Sequence, residues 1–93
     1  MKHATAAALD RLEPLLTRLR RHRALKEKSR GAFYFRSKAI LHFHEDPAGL
    51  FADFRTTGDW RRLAVNSASE RSALLQSVAA YLRRTNIQDE ISG

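Results

Sequence analysis

FYFRSKAILHFHED, residues 33–46, alternates aromatic or aliphatic side chains with polar ones and carries a polar break near its middle. Side chains along a strand point to opposite faces in turn, so this stretch predicts a β-hairpin. A three-residue loop at Arg36-Ser37-Lys38 sets Phe35 opposite Ala39 and Phe33 opposite Leu41. Phe33, Phe35, Leu41 and Phe43 then share one face. A two-residue loop divides them between both faces, so burial favours the odd loop.

The register extends outward from there. Asp46-Pro47-Ala48-Gly49 has Pro second and Gly fourth, the pattern of a type I turn. Joining 45 to 50 across it puts Phe43 opposite Ala52, Leu41 opposite Phe54 and His42 opposite Asp53. Gly58-Asp59 suits a two-residue hairpin turn, which sets Phe54 opposite Leu63 and Ala52 opposite Val65. All three turns agree on one dry face. Four strands are expected, over 32–36, 39–45, 50–56 and 60–65.

Helical patterns flank the strands. Leu9, Leu12, Leu16 and Leu19 recur at helical spacing and predict a helix from residue 5 to about 26. Pro14 lacks a backbone donor and crowds the preceding turn, so a kink or a fresh helix start is expected there. Gly31 ends this region or opens the sheet. Ser67-Ala68-Ser69-Glu70 is a capping box, and Leu74, Leu75, Val78 and Leu82 follow as a core-facing stripe. Residues 1–4 and 86–93 are expected to fray, with Ile87 and Ile91 placed to dock. Two leucine stripes and one apolar sheet face combine into a single α+β domain over 1–93. It is a two-layer sandwich of αββββα order, a four-stranded antiparallel meander with both helices on one face.

The composition, 43% hydrophobic and 29% charged, is that of a globular domain. The 93 residues include no cysteine, which excludes disulfides and thiolate metal sites and suits a reducing compartment. No apolar run approaches a membrane span or a signal-peptide core, so a cytoplasmic protein without a membrane partner is expected. The net charge is +7. Nearly all of it falls in segment 18–30, where Arg18, Arg20, Arg21, Arg23, Lys26, Lys28 and Arg30 face only Glu27. This basic patch is expected at the C-terminal end of the first helix, where cations complement the helix dipole.

The second sheet face carries the functional question. It is expected to hold Tyr34, Arg36, Ile40, His42, His44, Phe51, Asp53, Arg55, Trp60 and Arg62. Aromatic rings among arginines on an uncovered face call for a cover, since each buries about 150–250 Å² when it packs. The reading that follows is a small basic binding module that self-associates as a homodimer through this face. Phe51 and Trp60 would be the anchors and the arginines the rim. The alternative is nucleic-acid binding by the same face together with segment 18–30, by base stacking and phosphate neutralisation.

Two further chemistries are open to the same residues. His42 and His44 lie on one strand face with Asp53 across from them, which is enough for a metal site, although His-x-His alone is a weak motif. His3 and His22 cannot be placed from spacing. General acid–base chemistry is open to His42 or His44 with Asp53 or Glu45. No glycine-rich phosphate loop, nucleophile elbow or cysteine nucleophile accompanies them, so no catalytic residue, metal or cofactor is assigned and an enzyme is the lesser expectation.

Overall fold

The computed structural model describes residues 2–92, with side chains for residues 2–85. Its elements run β1 (Lys2–His3), α1 (Ala6–Leu19), β2 (Leu25–Ser29), β3 (Ala32–Phe35), β4 (Lys38–Asp46), β5 (Gly49–Phe54), β6 (Arg61–Ala64) and α2 (Ala68–Ser92). The fold is α+β, with two helices packed on an antiparallel sheet. The sheet has six strands rather than the expected four, in the order β2-β3-β4-β5-β6, with β1 also paired to β4. Strand β5 takes one edge of β4. The other edge is shared, with β3 against residues 38–41 and β1 against residues 44–45.

Helix α1 ends at Leu19, well short of the expected residue 26, and runs unbroken through Pro14. Thr5 caps its start, its Oγ1 accepting from the Ala8 amide at 3.3 Å. Its buried stripe is Ala8, Leu12, Leu15, Leu16 and Leu19. The next positions in that stripe are His22, Arg23 and Lys26, which have nothing to bury, so the chain turns away. It returns as β2, an edge strand whose Leu25 pairs with Phe35 and whose Lys26 pairs with Tyr34. The basic segment is therefore mostly turn and strand, and only Arg18 lies within the helix.

The first hairpin departs from its expected loop. Phe35 pairs with Lys38, so the loop has two residues, Arg36 and Ser37, both in the left-handed region with φ of 52° and 69°. That is the geometry of a type I′ turn. The register then shifts between Phe33 and Tyr34, with Tyr34 opposite Ala39 and Phe33 opposite Leu41. Ile40 is the extra residue of a β-bulge. A bulge turns two successive side chains to one side, and Ile40 and Leu41 are both buried, at 0% and 1% exposure. Ile40 thus belongs to the core and not, as expected, to the open face. The bulge restores the apolar face that a two-residue loop alone divides.

The later registers keep the expected parity. Across the turn at 46–49, Phe43 pairs with Ala52, Leu41 with Phe54 and His42 with Asp53. Asp46 stabilises this turn, its Oδ1 accepting from the Ala48 amide at 2.7 Å. Gly49 has φ of 135°, and a Cβ there would lie 2.6 Å from Asn66 Oδ1. Asn66 needs that space, because its side chain accepts from Leu50 N and donates to Leu50 O, closing the end of β5. Between β5 and β6 the pairing slips by two from expectation, with Ala52 opposite Leu63 and Phe54 opposite Arg61. A slip of two leaves every side chain on its expected face.

One core joins the layers. Leu12, Leu16 and Leu19 of α1 and Leu74 and Val78 of α2 pack with Phe33, Ile40, Leu41, Phe43, Leu50, Ala52 and Phe54. The capping box forms as read: Ser67 Oγ accepts from the Glu70 amide at 3.1 Å, and Glu70 Oε1 accepts from the amides of Ser67 and Asn66. At the N-terminus, Lys2 and His3 pair with Glu45 and His44, where no regular structure was expected. The backbone of residues 86–92, where fraying was expected, belongs to α2, and the expected docking of Ile87 and Ile91 concerns side chains outside the described residues.

A histidine–aspartate cluster on an open cationic sheet face

Both helices cover the face bearing Phe33, Leu41 and Phe43, so the other face is open. Register decides what meets there. His3 on β1 stands opposite His44 on β4, and Phe51 and then Ala64 continue that row. In the next row His42 stands opposite Asp53, followed by Arg62. Two neighbouring rows therefore bring three imidazoles, one carboxylate and one guanidinium together.

The contacts run diagonally as well as across. Asp53 Oδ2 lies 3.0 Å from His44 Nε2. His44 Nε2 also lies 2.9 Å from His42 Nδ1. Arg62 donates to both Asp53 oxygens, each at 2.9 Å, in a forked pair. That pair holds the Asp53 carboxyl below the usual carboxylate range. His3 stacks on His44 with ring centroids 4.8 Å apart, and ligand nitrogens of His3, His42 and His44 all lie within 4.8 Å of one another. Burial, and then the nearby His44, push the His42 imidazole below its ordinary pKa.

This centre is unusually dry for an uncovered face. His44 and Asp53 are 9% and 6% exposed. The neighbouring rings supply the cover: Trp60 lies against His42 with centroids 4.5 Å apart, and Arg55 lies 4.4 Å over the Trp60 ring. Arg55 is itself held by a 2.8 Å hydrogen bond from its Nε to the Ala39 carbonyl at the bulge. Trp60 remains 36% exposed, the one large apolar side chain so exposed among the described residues.

Of the ten residues expected on this face Ile40 belongs to the core, and the other nine divide in an informative way. His42, His44, Asp53, Trp60, Arg55 and Arg62 form one connected group. Phe51 is half-buried beside His44. Tyr34 sits apart, toward the β2 edge, with Lys28 Nζ 4.4 Å over its ring. Arg36 is in the hairpin turn, its guanidinium 4.8 Å from the Phe35 ring. Sequence reasoning left out three members. His3 arrives through a two-residue strand that carries no periodic signal. Lys26 and Lys28 join the face because β2 is a strand, which Leu25-Lys26-Glu27-Lys28, with a single apolar residue, hardly signals.

The seven residues of the expected basic patch are not one patch. Arg20 pairs with Glu27 and Glu13, and Arg30 pairs with Asp10 and Glu13. These acids come mostly from α1, which the count along segment 18–30 did not include. Arg18 and Arg21 line a groove between α1 and α2, and Arg23 lies in the turn before β2. Lys26 and Lys28 alone reach the open sheet face.

The fold and site define a class: a small α+β protein with a six-stranded antiparallel sheet, one face packed by helices and the other open, cationic and centred on a His–Asp cluster. Comparison with protein-family models, with curated proteins and with solved structures finds no match to this chain. Among the described residues no helix is long and apolar enough to cross a membrane.

Proposed function

We propose that this protein is a small binding module that holds single-stranded nucleic acid on the open face of its sheet. The observation that supports the reading is that charge and aromatic surface coincide there. Lys26 and Lys28 stand on the edge strand beside Tyr34. Arg55 lies over the half-exposed Trp60. Arg62 projects beyond Asp53 with its side chain 48% exposed. Bases stack on exposed rings, and cations along the same track neutralise the phosphates.

Self-association through this face is the competing reading. It stacks one cationic surface on another, since Asp53 is the acid at its centre and is already neutralised by Arg62. Joining by sheet edges is also discouraged, because β2 presents Lys26 and Lys28 and β6 presents Arg61 and Arg62.

The test is anisotropy of a labelled single-stranded oligonucleotide, titrated at about 50 mM and about 200 mM salt, with light scattering run alongside. Binding should weaken steeply with salt and quench Trp60 fluorescence. The Lys26→Glu/Lys28→Glu variant should bind at least about tenfold more weakly, because two phosphate contacts become repulsive. Absence of binding at the lower salt, or affinity indifferent to salt, overturns the reading. A concentration-dependent dimer that shields Trp60 and binds no oligonucleotide replaces it with self-association.

A further inference from the structure

The cluster at the centre of the face has more lone pairs than hydrogens to satisfy them. His44 Nε2 lies between Asp53 Oδ2 at 3.0 Å and His42 Nδ1 at 2.9 Å, and in either tautomer a ring nitrogen with one hydrogen or one lone pair serves only one of them well. A plain hydrogen-bonded histidine pair accounts for two of the rings. It does not account for the third imidazole held within reach.

We propose that His3, His42 and His44 bind one divalent transition-metal ion, with Asp53 supplying the negative charge that offsets it. Two nitrogens bound to one zinc ion at about 2.0–2.1 Å lie about 3–3.4 Å apart. His42 Nδ1 and His44 Nε2 are already near that separation, and the three ligand nitrogens span no more than 4.8 Å. Only His3, which is exposed, must turn to close the set. Imidazole donors favour zinc, copper, nickel or iron over magnesium or calcium. Three imidazoles leave a tetrahedral ion one open position. Asp53 is fixed by the forked pair with Arg62, the kind of support that orients a metal site's neighbours and sets its affinity.

The cluster draws its ligands from two strands far apart in the chain, so binding also has a structural consequence. His3 lies on β1, a strand of two residues that pairs Lys2 with Glu45 and His3 with His44. A metal bound across His3 and His44 ties that strand to β4, and a ligand that binds the folded state raises its stability.

The experiment uses the untagged full chain, stripped with a chelator and titrated with zinc by calorimetry in the absence of nucleic acid. The result is therefore independent of the binding reading above. One zinc per chain is expected, with a rise in melting temperature. Cobalt should give visible absorption bands that zinc displaces. Loss of an outer-shell partner alone costs about 10–100-fold in metal affinity, so His3→Ala and His42→Ala should each cost at least about tenfold. His22→Ala, in the turn after α1, should change nothing. His3 is exposed and its replacement leaves the core intact, so the test does not depend on a variant of the buried His44. Substoichiometric zinc, or affinity unchanged in both His3→Ala and His42→Ala, overturns the proposal.

Discussion

The two faces of β4 are built from adjacent residues and follow opposite rules. Leu41 and Phe43 point into a core closed by both helices, at 1% and 3% exposure. His42 and His44 point to a face that no helix covers, yet His44, at 9% exposure, is nearly as dry as Phe35 at the margin of the core, at 8%. On the first face burial comes from apolar packing and yields stability in proportion to the area removed from water. On the second it comes from side chains covering one another: Trp60 on His42, Arg55 on Trp60, His3 on His44. Polar groups buried that way return little net stability, since their hydrogen bonds replace equally good ones to water. The open face is thus the place where the fold has spent order on something other than holding itself together.

Breaking the dry face should have the largest effect. Phe33 is 1% exposed and packs among residues of both layers. Phe33→Ala should cost about 3–5 kcal/mol, measured by urea denaturation, because the cavity adds to the lost transfer energy. Asp53→Ala tests the other face and should cost less, about 1–3 kcal/mol, from the partner lost by His44. Equal costs for the two would mean that the cluster is itself a core, and the contrast would fail.

The contrast also explains what could be read in advance. Dry-face parity was legible over 33–65 with the exception of Ile40 at the bulge, because apolar residues recur with period two and a wrong register exposes them all. The capping box was legible because it is local. Strand β2 was not, since an edge strand with one apolar residue, Leu25, has almost no periodicity to detect. The adjoining leucine stripe made helix the natural extension, although nothing apolar continues the stripe beyond Leu19. The first turn was misread for a different reason. Arg36 and Ser37 are not the Asn-Gly pair that marks a type I′ turn, and the bulge at Ile40 hides the consequence by restoring the pairing of Phe33 with Leu41. On the open face the members were mostly legible. The third imidazole was not, because it depends on β1 arriving opposite His44.

That turn gives a prediction of opposite sign. Ser37 holds φ of 69°, a region that costs a residue with a Cβ about 1–2 kcal/mol and glycine almost nothing. Ser37→Gly should therefore stabilise the protein, by about 0.5–1 kcal/mol once the greater freedom of glycine in the unfolded chain is subtracted. The gain should appear as a higher urea midpoint with unchanged slope. It should leave zinc and oligonucleotide binding as they were, since the turn lies beyond the cluster.

The smallest effect is expected where the dry face meets solvent, at Glu27. This residue stands opposite Phe33 on β2, accepts from the Gly31 amide at 2.9 Å and takes a forked pair from Arg20. The hydrogen bonds from Arg20 are the main reason its carboxyl titrates below the ordinary range; burial opposes them, and the Gly31 amide adds to them. A carboxylate whose folded pKa is depressed stabilises the fold at pH values above its unfolded pKa, about 4.3 for glutamate. That contribution is lost as pH falls below this value and through the lower folded pKa. The parent should thus lose stability on acidification below about pH 4.3 more steeply than Glu27→Gln, while the two slopes agree between about pH 6 and 8. Urea midpoints across that range measure the difference. Because Arg20 and Glu27 are partly exposed and screened, the effect should also shrink in high salt. Parallel curves below pH 4.3 would show that the pair anchors β2 by geometry alone, through the Gly31 amide, and that charge at this edge contributes nothing to holding Lys26 and Lys28 on the open face.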